Sequence, residues 1–484
     1  MGGEKVPMKE INLLRGWPHP SLLPVDAISR ASVRATGDTE VVIPGLCYGP
    51  DAGFGPLRGE VGRWLGEFYD GDERGQGDMN GNGGVEGGEG EGDRSERICI
   101  TGGASQNLAC VLQVFSDPGV TRVWMVVPTY FLAMRIFEDS GLVPSAVPEG
   151  KEGVDLGYFE RELERDLARE TTPIKVSRPY SKAYRHILYC VPTFSNPSGK
   201  TMTLSCRKSL IHLARKYDVL ILSDDVYDSL QWPISTSPAV SSPTKPHALL
   251  PRLVDLDATL SPVPSSTEFG NTVSSGTFSK IAGPGVRTGW AEASPRFIHG
   301  LSQCGSSRSG GAPSQFTATI IFELLRSGDL DGHINDVLIP TYQRRYTILR
   351  EAIERVLVPK GVVVGETSVR STTEMTGKGE GVFGGYFLWI TLPSGMNAEY
   401  VALRAKEEEE LILAPGRIFE VDGKWEEGAR EVMEFGRSMR LCFSWVDERD
   451  LKEGVERLGR VVERVGVEGV RGQKGGRVDL ANFR

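Results

Sequence analysis

The sequence predicts an α/β protein, with a mainly parallel sheet in a large domain followed by a smaller α+β domain. Three observations carry this. Short apolar runs rich in β-branched residues alternate with amphipathic helical segments from about residue 97 to residue 330. Those runs are apolar on both faces rather than alternating, as strands covered on both sides are. Beyond about residue 330 the alternation gives way to one long helical pattern, two strand-like runs and two further helices.

The elements follow in order. Arg97–Thr101 (RICIT) leads into a helix over Ser105–Phe115, and Val123–Val127 (VWMVV) into Phe131–Ser140. Ile187–Val191 (ILYCV) precedes a helix over Leu204–Tyr217, which precedes Val219–Ser223 (VLILS); a further strand lies near Asn271–Val273. In the second part a helix over Ile334–Val358 is followed by the strand Tyr386–Leu392, a helix near Ala398–Glu410, and the strand Met439–Phe443. A last helix, Asp447–Arg464, opens on acidic residues that suit the helix dipole. Three segments lack the apolar content that offsets ordering entropy and read as surface insertions: the Gly-rich acidic 71–95, the Ser/Pro/Thr-rich 235–268 and the polar 366–381. The division expected is an N-terminal segment 1–44 packing with the small domain, a large domain 45–332 and a small domain 333–484.

Composition narrows the function. The 484 residues carry 55 basic and 64 acidic side chains, a net charge of -9, with no basic stripe, so a nucleic-acid surface is not expected. Anionic small molecules must then be drawn by local arginines. Seven cysteines show no metal-ligand or redox spacing, and an odd number does not complete a disulfide framework. No run is apolar enough to span a bilayer, and the first residues do not form a signal peptide, so a cytosolic enzyme with no membrane or metal partner is expected.

In open α/β sheets ligands bind beyond the carboxyl ends of the strands. GGASQNL follows RICIT, PTYF follows VWMVV, PTFSNPSG follows ILYCV, DDVY follows VLILS, and SSGTFSKIAGPGVRTGW follows the strand near residue 271. Five strand ends thus deliver small, hydroxylic, aromatic, acidic and basic residues to one rim. Singly, each has an ordinary reading. GGASQ is a helix start with free amides, Asp224-Asp225 a cap or solvated turn, Asn196-Pro197 a turn and Lys280 a surface lysine. Arg440 is less ordinary, because an arginine in an apolar strand needs an anion.

Together the motifs resemble the class I/II aminotransferases. GTFSKIAGPGVRTGW (276–290) is similar to that family's Schiff-base lysine motif. INLLRGWPHPSLLP (11–24), GLCYGPDAGFGPLRGEVGRWL (45–65), ITGGASQNL (100–108), VVPTYF (126–131), CVPTFSNPSGKTMT (190–203) and LILSDDVYDSL (220–230) match upstream segments in order. LILAPGRIF (411–419) and MRLCFSWVD (439–447) match downstream.

The resemblance implies the fold type I architecture of pyridoxal-5′-phosphate (PLP) enzymes. It also implies a transaminase passing an amino group from an L-amino acid to a 2-oxo acid, with 2-oxoglutarate the expected acceptor of the aminoadipate and aromatic branch. Lys280 would carry the cofactor as an internal aldimine and move the Cα proton. Asp224, at the first position of the D-x-x-Y pattern that ends in Tyr227, would pair with the pyridinium nitrogen. Asn196 and Tyr227 would bond the phenolic oxygen, and Tyr130 would stack on the ring. The phosphate would lie on the amides of Ala104 and Ser105, with Thr277, Ser279 and Arg287 as further donors. Arg440 would clamp the substrate α-carboxylate bidentately, Gly16 would lie beside the substrate, and Tyr48 would reach the partner's site in a homodimer.

Three departures stand out: Ser105 where many relatives have glutamine, an interval from Asp224 to Lys280 stretched by the Ser/Pro insertion, and Arg15 where many have a small residue, read as a solvated arginine ahead of one that meets a distal substrate group. The same lysine, aspartate and arginine also serve C–S lyase, decarboxylase and 1-aminocyclopropane-carboxylate synthase-like chemistry. A PLP-binding regulator with an N-terminal winged helix is disfavoured by the short segment before GLCYG. A dinucleotide-dependent oxidoreductase is disfavoured because GFGPLRG (53–59) lacks the GxGxxG spacing.

Overall fold

The computed structural model describes residues 8–70, 94–233, 247–260, 268–308, 310, 313–365, 369–370, 381–421, 425, 430 and 433–468. The expected insertion 71–95 lies almost wholly outside the described residues, as do 234–246, 261–267, 366–368 and 371–380.

The chain opens with a two-residue strand, β1 (Ile11–Asn12), and then builds a seven-stranded sheet. Its strands are β2 (Ile98–Thr101), β3 (Arg122–Val127), β4 (Pro144–Pro148), β5 (His186–Cys190) and β6 (Val219–Asp224), then, after the short β7 (Gln231–Pro233), β8 (Thr272–Thr277) and β9 (Gly289–Glu292). The sheet order is β2-β9-β8-β6-β5-β3-β4, and every pairing is parallel except those of β9 with β2 and β8. Strands β5 and β6 are buried almost end to end, as the unbroken apolar runs predict for a sheet covered on both faces. Both β4 and β9 escape the sequence reading: PSAVP opens on proline and GWAE is short, so neither stands out from a loop.

The crossover helices close the two faces. Leu204–Tyr217 starts where Thr203 Oγ accepts from the Cys206 amide and stops at Asp218, whose left-handed backbone ends the helix. Its stripe of Cys206, Leu210, Ile211, Leu213, Ala214 and Tyr217 is buried against the sheet. Part of the 235–268 segment is not an insertion loop, which corrects the sequence expectation. Leu253–Thr259 forms a helix that buries Leu253, Val254 and Leu256, and Arg252 before it is almost wholly buried in ion pairs with Asp255 and Glu292. A Ser/Pro-rich average hid a short apolar cluster with its own counterions.

The small domain centres on an antiparallel sheet of β10 (Val363–Val364), β13 (Phe387–Thr391), β16 (Ser438–Cys442) and β15 (Ala414–Pro415), in that order. Between them, β11 (Val369–Arg370) pairs with β12 (Gly381–Gly384), and β12 pairs in turn with β7 of the large domain. Strand β14 (Leu411–Ile412) pairs in parallel with β1, so Ile11 and Asn12 belong to the small domain. Leu13 extends this contact by bonding Ile412 and Cys442, but from Val25 onward segment 1–44 differs from expectation. Helices Val25–Gly37 and Thr39–Leu46 pack against Gln315–Arg326 of the large domain, tied by Arg34 to Glu323 at 3.5 Å.

The expected boundary near residue 332 also falls inside a continuous helical run. Asp329–His333 passes through one π turn, Ile334–Leu338, into Ile339–Val356. Pro340 has no N–H for the α-helical ladder and its ring crowds the preceding turn, so the register slips by one residue at that point.

Candidate active site

Five parallel strands end at one edge of the sheet. The turn after β2 is Gly102-Gly103, and Gly103 has φ +98°, a left-handed region that glycine enters without strain. It caps the helix Ala104–Phe115 with no side-chain partner, so the first amides, at Ala104 and Ser105, remain available. A Cβ at Gly103 would sit 2.8 Å from Arg287 Nη2, so glycine is also what lets the arginine close on the turn. Arg287 donates to Gly102 O at 2.7 Å and Pro284 O at 3.0 Å and is itself exposed. Thr277 Oγ1, at the end of β8, bonds Ser279 Oγ at 2.9 Å beside it. Amides, dipole, hydroxyls and guanidinium together form an anion cradle.

Beside the cradle lies a pocket of about 390 Å3, lined among others by Ala104, Ser105, Tyr130, Tyr189, Asp224 and Ser275. Asp224 ends β6. Its Oδ2 accepts from Tyr189 Oη at 2.6 Å, while Oδ1 is buried with no hydrogen-bond partner among the described residues. Burial pushes the carboxyl up to about 6, aided by the charge of Asp225 and opposed by the Tyr189 bond and by Lys280. The adjacent Asp225 points elsewhere, accepting from the Ser223 and Ser274 hydroxyls, so its carboxylate is spent on the fold. Tyr130 precedes its helix as the cap residue, and burial raises its hydroxyl to about 12. Tyr227 is buried, with burial holding its phenol well above the usual range; its ring packs on Tyr386 at 5.3 Å and Phe387 at 5.9 Å.

Lys280 closes the 3-10 turn Phe278–Lys280 and is half-buried. Its Nζ donates to Gly16 O at 3.0 Å and lies 5.6 and 5.3 Å from the Tyr227 and Tyr386 ring centroids. Burial brings this amine down to about 8, with Asp224 opposing the shift. Arg440, in β16, is buried over Phe387 (4.1 Å) and Phe419 (4.8 Å). It donates from Nη1 to Asn196 Oδ1 at 2.7 Å and from Nη2 to Leu14 O, while its Nε has no partner among the described residues. No carboxylate among the described residues pairs with it, and burial lowers its pKa. A buried guanidinium without an anion is costly unless a ligand supplies one. Gly16 is held against Phe387, where a Cβ would come within 2.8 Å of the ring.

The structure therefore brings together Gly16, Ala104, Ser105, Tyr130, Asn196, Asp224, Tyr227, Thr277, Ser279, Lys280, Arg287 and Arg440. Tyr48 stands apart at 89% exposure, its ring over Gly310. Four contributors escape the sequence reading. Tyr189 and Phe387 sit inside apolar strands and read as core. Arg207 looks like a solvated helix residue, yet it is buried and holds the Asn196 loop through Pro192 O and Thr193 Oγ1. Tyr386 donates to the Lys280 carbonyl at 3.1 Å.

The donor set fits PLP: an anion cradle at a helix start, an orphaned carboxylate oxygen for a cationic ring nitrogen, aromatic walls and an amine of lowered pKa. Site and fold define a fold type I PLP enzyme. Residues 87–458 match the family aminotransferase class I and II, and the chain belongs to that family. It is 32% identical over 94% of its length to the uncharacterized protein YER152C of Saccharomyces cerevisiae, of which 97% is covered. It is 28% identical to aromatic-amino-acid aminotransferase 1 of Thermococcus litoralis, over 94% of this chain and 88% of that one. The solved α-aminoadipate aminotransferase of Thermus thermophilus, complexed with N-(5′-phosphopyridoxyl)-L-leucine, superposes with a TM-score of 0.67 at 25% identity, covering 94% of this chain and 92% of that one. The chain is a PLP-dependent transaminase that moves an amino group between an amino acid and a 2-oxo acid.

Proposed function

We propose that 2-oxoglutarate is the amino acceptor, that the residues gathered at the strand ends take the roles given below, and that the enzyme works as a homodimer. The observation that carries the reading is Arg440, a buried guanidinium with no counterion among the described residues, set across the Gly16 segment from an amine of lowered pKa. One group suits an α-carboxylate and the other an α-amino group on the same carbon.

The cofactor, when bound, supplies an electrophilic carbonyl and a cationic ring that accepts the electron pair left at the substrate Cα. Lys280 would hold it covalently and, as a free amine, would take the Cα proton, for which an amine near neutrality is suited. The free Asp224 oxygen keeps the ring nitrogen protonated, and Tyr189 holds the other oxygen so that the carboxylate cannot turn away. The amides of Ala104 and Ser105, with Thr277, Ser279 and Arg287, bind the phosphate. Tyr130 would stack on the ring, and Asn196 and Tyr227 would bond its phenolic oxygen. Arg440, with Asn196 beside it, grips the α-carboxylate next to Gly16.

The dimer reading rests on a surface. Ile43, Leu46 and Tyr48 are 58%, 71% and 89% exposed on and after the helix Thr39–Leu46. An apolar patch beside a tyrosine outside its own site is what a partner face requires. A reducing, cytosolic setting agrees with seven cysteines that are all free. Among the described residues no helix is long and apolar enough to cross a membrane.

The names of two similar proteins, the aromatic-amino-acid aminotransferase and the solved α-aminoadipate aminotransferase, direct the donor screen. Purified enzyme is offered aromatic, aminoadipate and aliphatic amino acids with 2-oxoglutarate or pyruvate. Glutamate is expected to form in step with loss of the donor, and only when 2-oxoglutarate is present. Turnover without any oxo acid would point to lyase or decarboxylase chemistry, and turnover with pyruvate alone would remove the proposed acceptor.

A further inference from the structure

The segment that crosses the active site carries a cation that none of the roles above uses. Arg440 donates to Leu14 O, and Lys280 Nζ donates to Gly16 O at 3.0 Å, so Arg15 is the residue between the two groups that meet the substrate backbone. Its own amide is fixed by Asn12 Oδ1 at 3.0 Å. Gly16 packs against Phe387, whereas the side chains of Arg15 and Trp17, two residues apart, lie together, with Trp17 54% exposed.

The Arg15 guanidinium is 4.7 Å from the Trp17 ring centroid and 4.8 Å from that of Trp445, and the two indoles meet edge to face at 5.7 Å. Ser444 Oγ, donating to Trp17 O at 2.8 Å, ties the indole-bearing segments together. Stacking on two aromatic faces orients a planar guanidinium and leaves its edge N–H groups free. Among the described residues no carboxylate lies within ion-pair distance of Arg15, although the chain carries an excess of acid. An oriented, half-buried cation on the residue after the carbonyl that Arg440 bonds, in a protein whose net field repels anions, suits a second carboxylate.

We propose that Arg15 is a specificity-determining residue that binds the distal carboxylate of a dicarboxylic oxo acid while Arg440 holds the α-carboxylate. The proposal rests on the transaminase reading with 2-oxoglutarate as acceptor. It makes acceptor choice a property of a position in the N-terminal segment, clamped between Trp17 and Trp445.

The test compares the holoenzyme with Arg15→Leu and Arg15→Lys, using 2-oxoglutarate and pyruvate as matched dicarboxylic and monocarboxylic acceptors. Absorbance of the bound cofactor confirms that each variant is folded and loaded. Loss of a charge-assisted contact corresponds to roughly 10–100-fold. Arg15→Leu is therefore expected to lower kcat/KM for 2-oxoglutarate by about 30-fold, mainly through KM. The ratio to pyruvate should fall by at least about tenfold, and Arg15→Lys should recover part of that ratio. Equal losses with both acceptors, or no loss with 2-oxoglutarate, would overturn the proposal. A wild type that uses pyruvate but not 2-oxoglutarate also overturns it while leaving the transaminase standing, whereas failure with every oxo acid removes the transaminase reading itself.

Discussion

Replacing Arg440 by lysine separates substrate binding from cofactor binding. The guanidinium is buried over Phe387 and Phe419, spends two of its donors on Asn196 Oδ1 and Leu14 O, and leaves Nε without a partner among the described residues. A carboxylate bound there receives two parallel charge-assisted hydrogen bonds. Lysine keeps the charge but presents a point donor on a flexible stem, so one of those bonds is lost and Asn196 loses its partner. A hydrogen bond to a charged group contributes about 1.5–3 kcal/mol, which predicts a fall of roughly 10–100-fold in kcat/KM for every amino donor. The cradle at Gly102–Ser105 and the Asp224 oxygen are untouched, so Arg440→Lys should retain its bound cofactor. Steady-state kinetics across several donors, with a spectrum of each preparation, measures both quantities. Catalytic efficiency within about twofold of wild type, or loss of bound cofactor, would refute the role given to Arg440.

Two other consequences are open to measurement. In the cofactor-free chain the folded state releases the Lys280 proton near about 8, whereas an unfolded lysine holds it to about 10.5. The unfolded state therefore binds more protons between these values, and this residue's contribution to stability rises with pH across that window. Lys280→Met should be more resistant to urea than wild type at about pH 7, and the gap should close by about pH 10; a gap that widens contradicts the burial argument. Leu46→Glu, which places a charge on the apolar patch with Ile43 and Tyr48, should convert a dimer to a monomer by light scattering. A monomeric wild type would remove the proposed reach of Tyr48 into a partner's site.

Much of the site was legible because its groups sit at strand ends, where polar residues interrupt apolar runs and stand out. Asp224 shows this. The pattern ending at Tyr227 separates it from Asp225, and the fold spends Asp225 on Ser223 and Ser274 while leaving one Asp224 oxygen free. What stayed hidden depends on tertiary contacts that no local pattern encodes. Tyr189 in ILYCV has the periodicity of a core residue, and only the neighbouring strand puts Asp224 within 2.6 Å of its hydroxyl. Arg207 looks like one of many helical arginines until the chain folds Pro192 and Thr193 over it. The helix Leu253–Thr259 was masked by its Ser/Pro surroundings. The strand β9 was masked by its brevity, although it runs antiparallel to both neighbours and brings Gly289 against the Gly103 turn. Short elements stabilised by burial of their neighbours carry little signal of their own.

Whether Lys280 carries the cofactor is decided by reducing the purified protein with borohydride and mapping the modified peptide by mass spectrometry. The expected outcome is a yellow protein that becomes bleached, with the phosphopyridoxyl mass on the peptide containing Lys280 and on no other lysine. A protein that stays colourless and unlabelled after PLP is added, or one labelled at a different lysine, would contradict the assignment.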